Sequence, residues 1–196
     1  FEDRVQPIRP DAAPNDAAFF GVGWAALHSS FLEPDRDLFV LFKCSPYGAV
    51  SHSHADQNSF AIMKGGRALA IPAGVRYPTH GSPFHTKYTQ ETMAHNAVLV
   101  DGKGQRNRDG SSGGRLASFQ STPRFGYACG DASTCFDPPM QKNLRHALLV
   151  RPSIVCIVDE LTAPAAMPYQ WLLHAHNAFD LDEGAQALVS RKDPEA

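Results

Sequence analysis

The chain has no surplus of charge of either sign. Its 18 Lys and Arg stand against 20 Asp and Glu, a formal net charge of −2 over 196 residues. That balance argues against a nucleic-acid binder, which carries a basic excess, and against a polybasic membrane anchor. No apolar run approaches the ~20 residues of a membrane-spanning helix. The four cysteines, at 44, 129, 135 and 156, include no Cys-x-x-Cys pair, which removes a zinc ribbon. Cys44 and Cys156 sit in apolar runs and read as buried thiols; a Cys129–Cys135 bridge is the minor alternative to free thiols there. The opening Phe1-Glu2-Asp3 lacks Met, a basic leader region and an apolar stretch. The sequence therefore reads as part of a longer protein, with any signal peptide upstream. Strong amphipathic helices and internal repeats are also missing.

What is present favours strands. Charged residues make up only 19% and hydrophobic residues 43%, so the chain can fold around a core. Gly 15 and Pro 15 punctuate it densely, and Phe 12 and Tyr 5 favour β-structure. Residues 1–18, rich in Pro, Asp and Ala, read as a linker arm. Strands are predicted over Gly21–Phe31, Leu38–Lys43, Phe60–Lys64, Arg67–Ile71 and Asn96–Val100. Further strands follow at Arg115–Gln120, Phe125–Cys129, Leu144–Arg151, Ile154–Glu160, Tyr169–His176 and Ala187–Arg191. Gly65-Gly66 between apolar runs predicts a two-residue hairpin, and residues 102–114 read as a mobile loop. Segment 77–95 reads as a long loop or one holding a short helix. Short strands at regular spacing predict an all-β fold, an antiparallel β-sandwich over residues 19–196.

Nine histidines are the first sign of chemistry. The densest polar run is Ser51-His52-Ser53-His54-Ala55-Asp56-Gln57-Asn58-Ser59-Phe60. In an extended strand His52, His54 and Asp56 share one face, which suits metal binding or proton handling. His95-Asn96 stands directly before an apolar run, where Asn96 can bond a carboxylate or a sugar hydroxyl. The segment from His80 to Tyr88, with His85 between them, puts rings on a Gly/Pro loop of the kind that stacks on sugars. Arg106 and Arg108 on the glycine-rich loop are candidates for an acidic saccharide, though a solvated loop is the simpler reading. Arg145-His146 reads as structural, and His174-x-His176 as a strand face.

In this order the run from Ser51 to Phe60, then Ala94-His95-Asn96-Ala97-Val98-Leu99-Val100-Asp101-Gly102 with Gly104-Gln105, resembles the C-terminal sandwich of the heparinase II/III-like polysaccharide lyases. Local pieces are most similar to polysaccharide lyase family 15: Lys43-Cys44-Ser45-Pro46-Tyr47-Gly48, Ile71-Pro72-Ala73-Gly74, Gly81-Ser82-Pro83, Gly130-Asp131-Ala132 and Gln170-Trp171-Leu172-Leu173-His174-Ala175. The resemblance spans residues 19 to 176. It implies β-elimination on a uronate oligosaccharide, with exolytic oligoalginate lyase the first expectation and exolytic heparin or heparan sulfate lyase the second. It also implies a bacterial protein, periplasmic or cytoplasmic, and a partner in the same polypeptide: an α-helical toroid preceding the sandwich and supplying the other half of the active site.

The elimination needs the uronate carboxylate neutralised, a base for the C5 proton and an acid for the leaving oxygen. By resemblance His52 is the catalytic residue from the sandwich side; His80, His85, Tyr88 and Asn96 are the candidate substrate contacts from their own chemistry. His54 and His95 match positions that hold a structural zinc ion in related lyases. The third ligand there is an Asp on the strand after the Gly-Gly hairpin, a place taken here by Pro72, which has no ligand atom; Asp56 or another His is the available substitute. Two other readings compete. One is a cupin-like metal enzyme, whose first motif lacks its Glu after His52-x-His54. The other is a non-catalytic carbohydrate-binding sandwich.

Overall fold

A computed structural model describes residues 13–72 and 79–190. Thirteen strands build it, almost without helix. Strands β1 (Asp16–Phe19), β2 (Trp24–His28), β3 (Leu38–Lys43), β4 (Ser59–Lys64) and β5 (Arg67–Ala70) form one antiparallel sheet in chain order. After β6 (Val98–Val100), the strands β7 (Arg115–Ser121), β8 (Phe125–Asp131), β9 (Lys142–Val150) and β10 (Ile154–Thr162) form a second, ordered β10-β9-β8-β7. Two ribbons complete the described residues: β11 (Tyr169–Trp171) pairs with β6, and β12 (Phe179–Asp182) with β13 (Ala187–Ser190).

Alternation turns these sheets into a sandwich. In β3, Leu38, Val40 and Phe42 are buried while the residues between them are only partly covered. In β9 the buried set is Asn143, Arg145, Ala147 and Leu149. Phe42 and Phe60 from the first sheet meet Leu116, Ala128 and Ala147 from the second in one apolar cluster. Leu27, Leu38, Val40 and Leu149 form a second cluster. The all-β sandwich predicted from sequence is thus what the chain forms.

The Gly65-Gly66 hairpin is present. Lys64 pairs with Arg67, and both glycines take positive φ, 53° and 75°, as a two-residue turn of this hand requires. Several boundaries differ from expectation. β1 begins inside the segment read as a linker, and Asp16 explains why. Its carboxylate is buried, and both of its oxygens accept from Arg151 Nη2 at 2.6 Å, with Ser121 Oγ donating to Oδ2. The predicted Gly21–Phe31 and Tyr169–His176 strands are shorter, at Trp24–His28 and Tyr169–Trp171, and β12 is one the pattern missed. Of Ala187–Arg191, Arg191 lies outside the described residues, as does most of residues 1–18. Segment 79–95 holds two short helical turns, His85–Thr89 and Thr92–Ala94.

All four cysteines are free, the main reading over a Cys129–Cys135 bridge, and one departs from expectation in its burial. Cys156 is exposed, not buried, because β10 is a sheet edge and turns Ile154, Cys156 and Val158 outward together. Cys44 and Cys135 are buried, and burial pushes both thiols up to about 12, far from a reactive thiolate.

Candidate functional site

The polar run before β4 is not extended. Ser51 and Asn58 both sit in the left-handed region, at φ 57° and 59°, and Ser53 N–H donates to Val50 O in a turn. The alternating-face expectation for His52, His54 and Asp56 therefore fails, and the three side chains part company. His52 stays exposed, with its ring 6.2 Å from that of His80. His54 turns to His95, and Asp56 turns to Lys43.

His95 is nearly fully buried. Its Nε2 lies 3.2 Å from Thr89 O, which only accepts, so the proton sits on Nε2. His54 Nδ1, 3.1 Å from the same nitrogen, then accepts from it. His95 Nδ1 is left bare and without a hydrogen-bond partner, 3.9 Å from Asp56 Oδ2. Burial holds His95 down to about 4, and the nearby Asp56 carboxylate only partly offsets it. His54 is lowered too, again chiefly by burial. Both rings are neutral at pH 7. The Asp56 carboxylate is occupied by the Lys43 ammonium, both groups being largely covered.

This arrangement bears on the expected zinc. Two imidazole nitrogens converge, but no group of three His, Cys, Asp or Glu able to hold a metal exists among the described residues. Pro72 brings no donor, and an ammonium already neutralises Asp56. The residues present do not fit a structural zinc ion, which takes four ligands. What the pair does is fasten the run before β4 to the segment before β6.

Other polar groups complete that fastening. Gln57 is fully buried, with Oε1 accepting from Ser45 N–H at 2.5 Å and its own N–H donating to Gln105 Oε1. Gln105 Nε2 returns a bond to Gln57 O. Asn96, expected on substrate, is also fully buried: Nδ2 donates to Phe60 O and Oδ1 accepts from His174 N–H. It has no open face to offer a sugar. Beneath it lies Arg145, whose side chain is wholly enclosed. The guanidinium grips Asp159 through two bonds of 2.7 and 2.9 Å, donates to Asn58 O and Asn96 O, and lies over the Phe60 and Trp171 rings.

The open part of the site is an exposed groove of about 390 Å³. Ser51, His80, His85, Thr86, Gln90 and Arg108 are among its walls, and among the described residues no carboxylate lines it. The His80 and His85 rings stand 5.0 Å apart, and His85 Nδ1 accepts from Gly81 N–H. Of the five sequence candidates for catalysis or substrate contact, His52, His80 and His85 are thus brought together. Tyr88 leans on Phe84, ring centroids 5.3 Å apart, on the same helical turn. Tyr77 lies outside the described residues. Lys43 was the group sequence reasoning missed: a charge at the end of the otherwise apolar strand β3, turned to Asp56. Arg145, read from sequence as structural, is the enclosed partner of Asp159.

The chain matches the model of the heparinase II/III-like C-terminal family over residues 11–196. It belongs to that family. No curated protein matches the sequence. Among solved structures, the heparan sulfate lyase HepC from Pedobacter heparinus superposes with a TM-score of 0.70 at 17% identity, over 88% of this chain and 26% of that one. A heparinase III superposes with a TM-score of 0.69 at 15% identity, over 87% and 27%. The heparinase III-BT4657 gene product gives 0.66 at 19%, over 80% and 23%. These likenesses establish the fold. The chain spans about a quarter of the length of each of these proteins. The family membership read from the His-x-His-Ala-Asp-Gln-Asn run holds; the closer tie to family 15, and with it alginate, finds no support among these neighbours.

Proposed function

We propose that the chain is the sandwich portion of a polysaccharide lyase that cleaves a heparan-type, uronate-containing chain by β-elimination, with His52 facing the substrate. The observation that carries this reading is the groove. An open trough walled by imidazoles and a guanidinium, with no carboxylate among the described residues of its walls, suits an acidic saccharide. His52 stands beside the His80–His85 pair at its rim, exposed, as a group that reaches a sugar must be. The neutral His54–His95 pair behind it holds its backbone in place. The preference for heparan-type chains over alginate follows the neighbours that are named for heparan sulfate. On this reading the remaining groups of the reaction, including the expected toroid, lie outside this chain, which spans about a quarter of the length of those proteins.

In the elimination an imidazole at position 52 either neutralises the carboxylate next to C5 or receives the C5 proton. Both roles need it at the groove rim rather than in the core, and both act where charge develops. The test is absorbance of the unsaturated uronate product from heparan sulfate and alginate oligomers. It uses the longer natural protein and its His52→Ala variant. We expect product from heparan-type oligomers and a loss of about 10²–10⁴ in turnover on substitution, with unchanged thermal stability. A variant as fast as wild type removes His52 from the reaction, and product from alginate alone reverses the substrate order.

A further inference from the structure

We infer that Arg108 is the oxyanion grip of the groove: its guanidinium takes a carboxylate or sulfate of the bound saccharide and makes the site selective for charged sugars. The inference rests on the reading of the groove as a saccharide site and adds the group that recognises the charge.

Three observations carry it. Arg108 walls the groove opposite no acid, and among the described residues it forms no ion pair, whereas Arg106, two positions earlier, is consumed by its own loop. Arg106 binds the Asp109 carboxylate, Ser111 and Thr134 O, which take up both of its terminal nitrogens, and its Nε is buried. Next, Arg108 sits in the left-handed region at φ 55°, a conformation that a long side chain rarely takes and that its surroundings must impose. Those surroundings are fixed on both sides. Asn107 Oδ1 accepts from Arg108 N–H while Asn107 Nδ2 donates to Glu91. Asp109 O accepts from Ala49 and Ser112 N–H, and Gly48 lies so close that a Cβ there would meet Asp109 O at 2.6 Å. A loop fastened this tightly on either side of the arginine holds the base of the side chain at the groove wall, where the residue is exposed and open to a ligand. Last, the other polar side chains that line the groove are Ser51, His80, His85, Thr86 and Gln90, groups that can add hydrogen bonds to a bound anion; none among the described residues is an acid that would compete for the arginine. The planar fork matches a carboxylate or a sulfate with two parallel bonds, which an ammonium cannot do.

The experiment measures binding by calorimetry for wild type, Arg108→Ala, Arg108→Lys and His85→Ala. The ligands are three oligosaccharides of equal length: sulfated uronate, unsulfated uronate and neutral. We expect Arg108→Ala to weaken the charged ligands at least tenfold with an unchanged melting temperature, and Arg108→Lys to recover only part of the loss. Loss with both charged ligands assigns the grip to the carboxylate, and loss with the sulfated ligand alone assigns it to sulfate. Arg108→Ala binding like wild type while His85→Ala still weakens overturns the inference and leaves the groove standing. An equal loss with the neutral ligand also overturns it, since charge is then not what Arg108 reads. If wild type binds no uronate ligand, the groove reading and the inference fall together.

Discussion

His54 Nδ1 lies 3.1 Å from His95 Nε2, joining two segments 41 residues apart at the one point where the sequence predicted a metal. The pair is neutral, and a single N–H shared between His54 and Thr89 O does the joining. A buried ammonium, Lys43, supplies positive charge to Asp56 next to it. The cluster is therefore balanced by groups of the chain itself. Its effect on function is indirect: it sets where the turn carrying His52 leaves the core.

Arg145 is the second anchor of that turn, and its removal should be costly. The guanidinium holds the carbonyls of Asn58 and Asn96, one from each of the two segments, and neutralises Asp159. Arg145→Met strips the charge partner from a largely covered carboxylate and leaves two carbonyls without donors. Breaking a buried pair from one side costs about 3–5 kcal/mol. Urea unfolding followed by fluorescence should show the midpoint falling accordingly. Arg145→Met with Asp159→Leu should recover part of the loss, because no bare charge then remains. A single variant within about 1 kcal/mol of wild type would show that Asp159 is fully served by the Trp171 Nε1–H that it also accepts.

How far this architecture could be read in advance depended on periodicity. β3 and β9 alternate cleanly, the diglycine hairpin is local chemistry, and the sandwich followed from them. The run from His52 to Asp56 has the same look of alternation but not its cause. Positive φ at Ser51 and Asn58, together with bonds to Gln90, Thr92 and Gln105, bends it into turns. Those partners lie 37 to 48 residues away, so no local pattern announces them. Likewise Asn96 looked like a surface amide beside a histidine. Only the arrival of Phe60 O and His174 N–H at its two ends shows that it is a core fastening. Loop 102–114 read as mobile from its composition, yet Arg106 and Gln105 tie it down.

Replacing Lys43 should be felt at His95. Lys43 lowers the proton affinity of both His95 and His54, while Asp56 raises it. In Lys43→Met the Asp56 carboxylate keeps its charge and loses its partner, and the bare His95 Nδ1 stands 3.9 Å away as the nearest group able to bring it a proton. The titration of His95, about 4 in the intact chain, should move up, because the charge that lowers it is gone and Asp56, which raises it, has lost its partner. Imidazole resonances followed by NMR against pH read this directly. An unmoved His95 would mean that burial alone governs it and that Lys43 acts only on Asp56.

Acid should weaken the fold through this same ring, and the sign is set by which state binds the proton. Folded His95 titrates at about 4, against an ordinary value of 6.5 once unfolded. Between those values the unfolded chain takes up a proton that the folded chain refuses, so lowering the pH favours unfolding. The contribution is fully present above pH 6.5 and is lost as the pH falls toward 4, in total about 3 kcal/mol. His54, lowered as well, adds loss in the same direction. The check is the urea midpoint measured from pH 8 to pH 4 for wild type and for His95→Gln. The variant keeps a donor near Thr89 O but cannot titrate. Wild type should lose stability more steeply than the variant below pH 6.5, and the two curves should run parallel above it. Parallel curves throughout would show that His95 is protonated in the fold, in which case its Nδ1–H must reach Asp56 and Lys43 must give way.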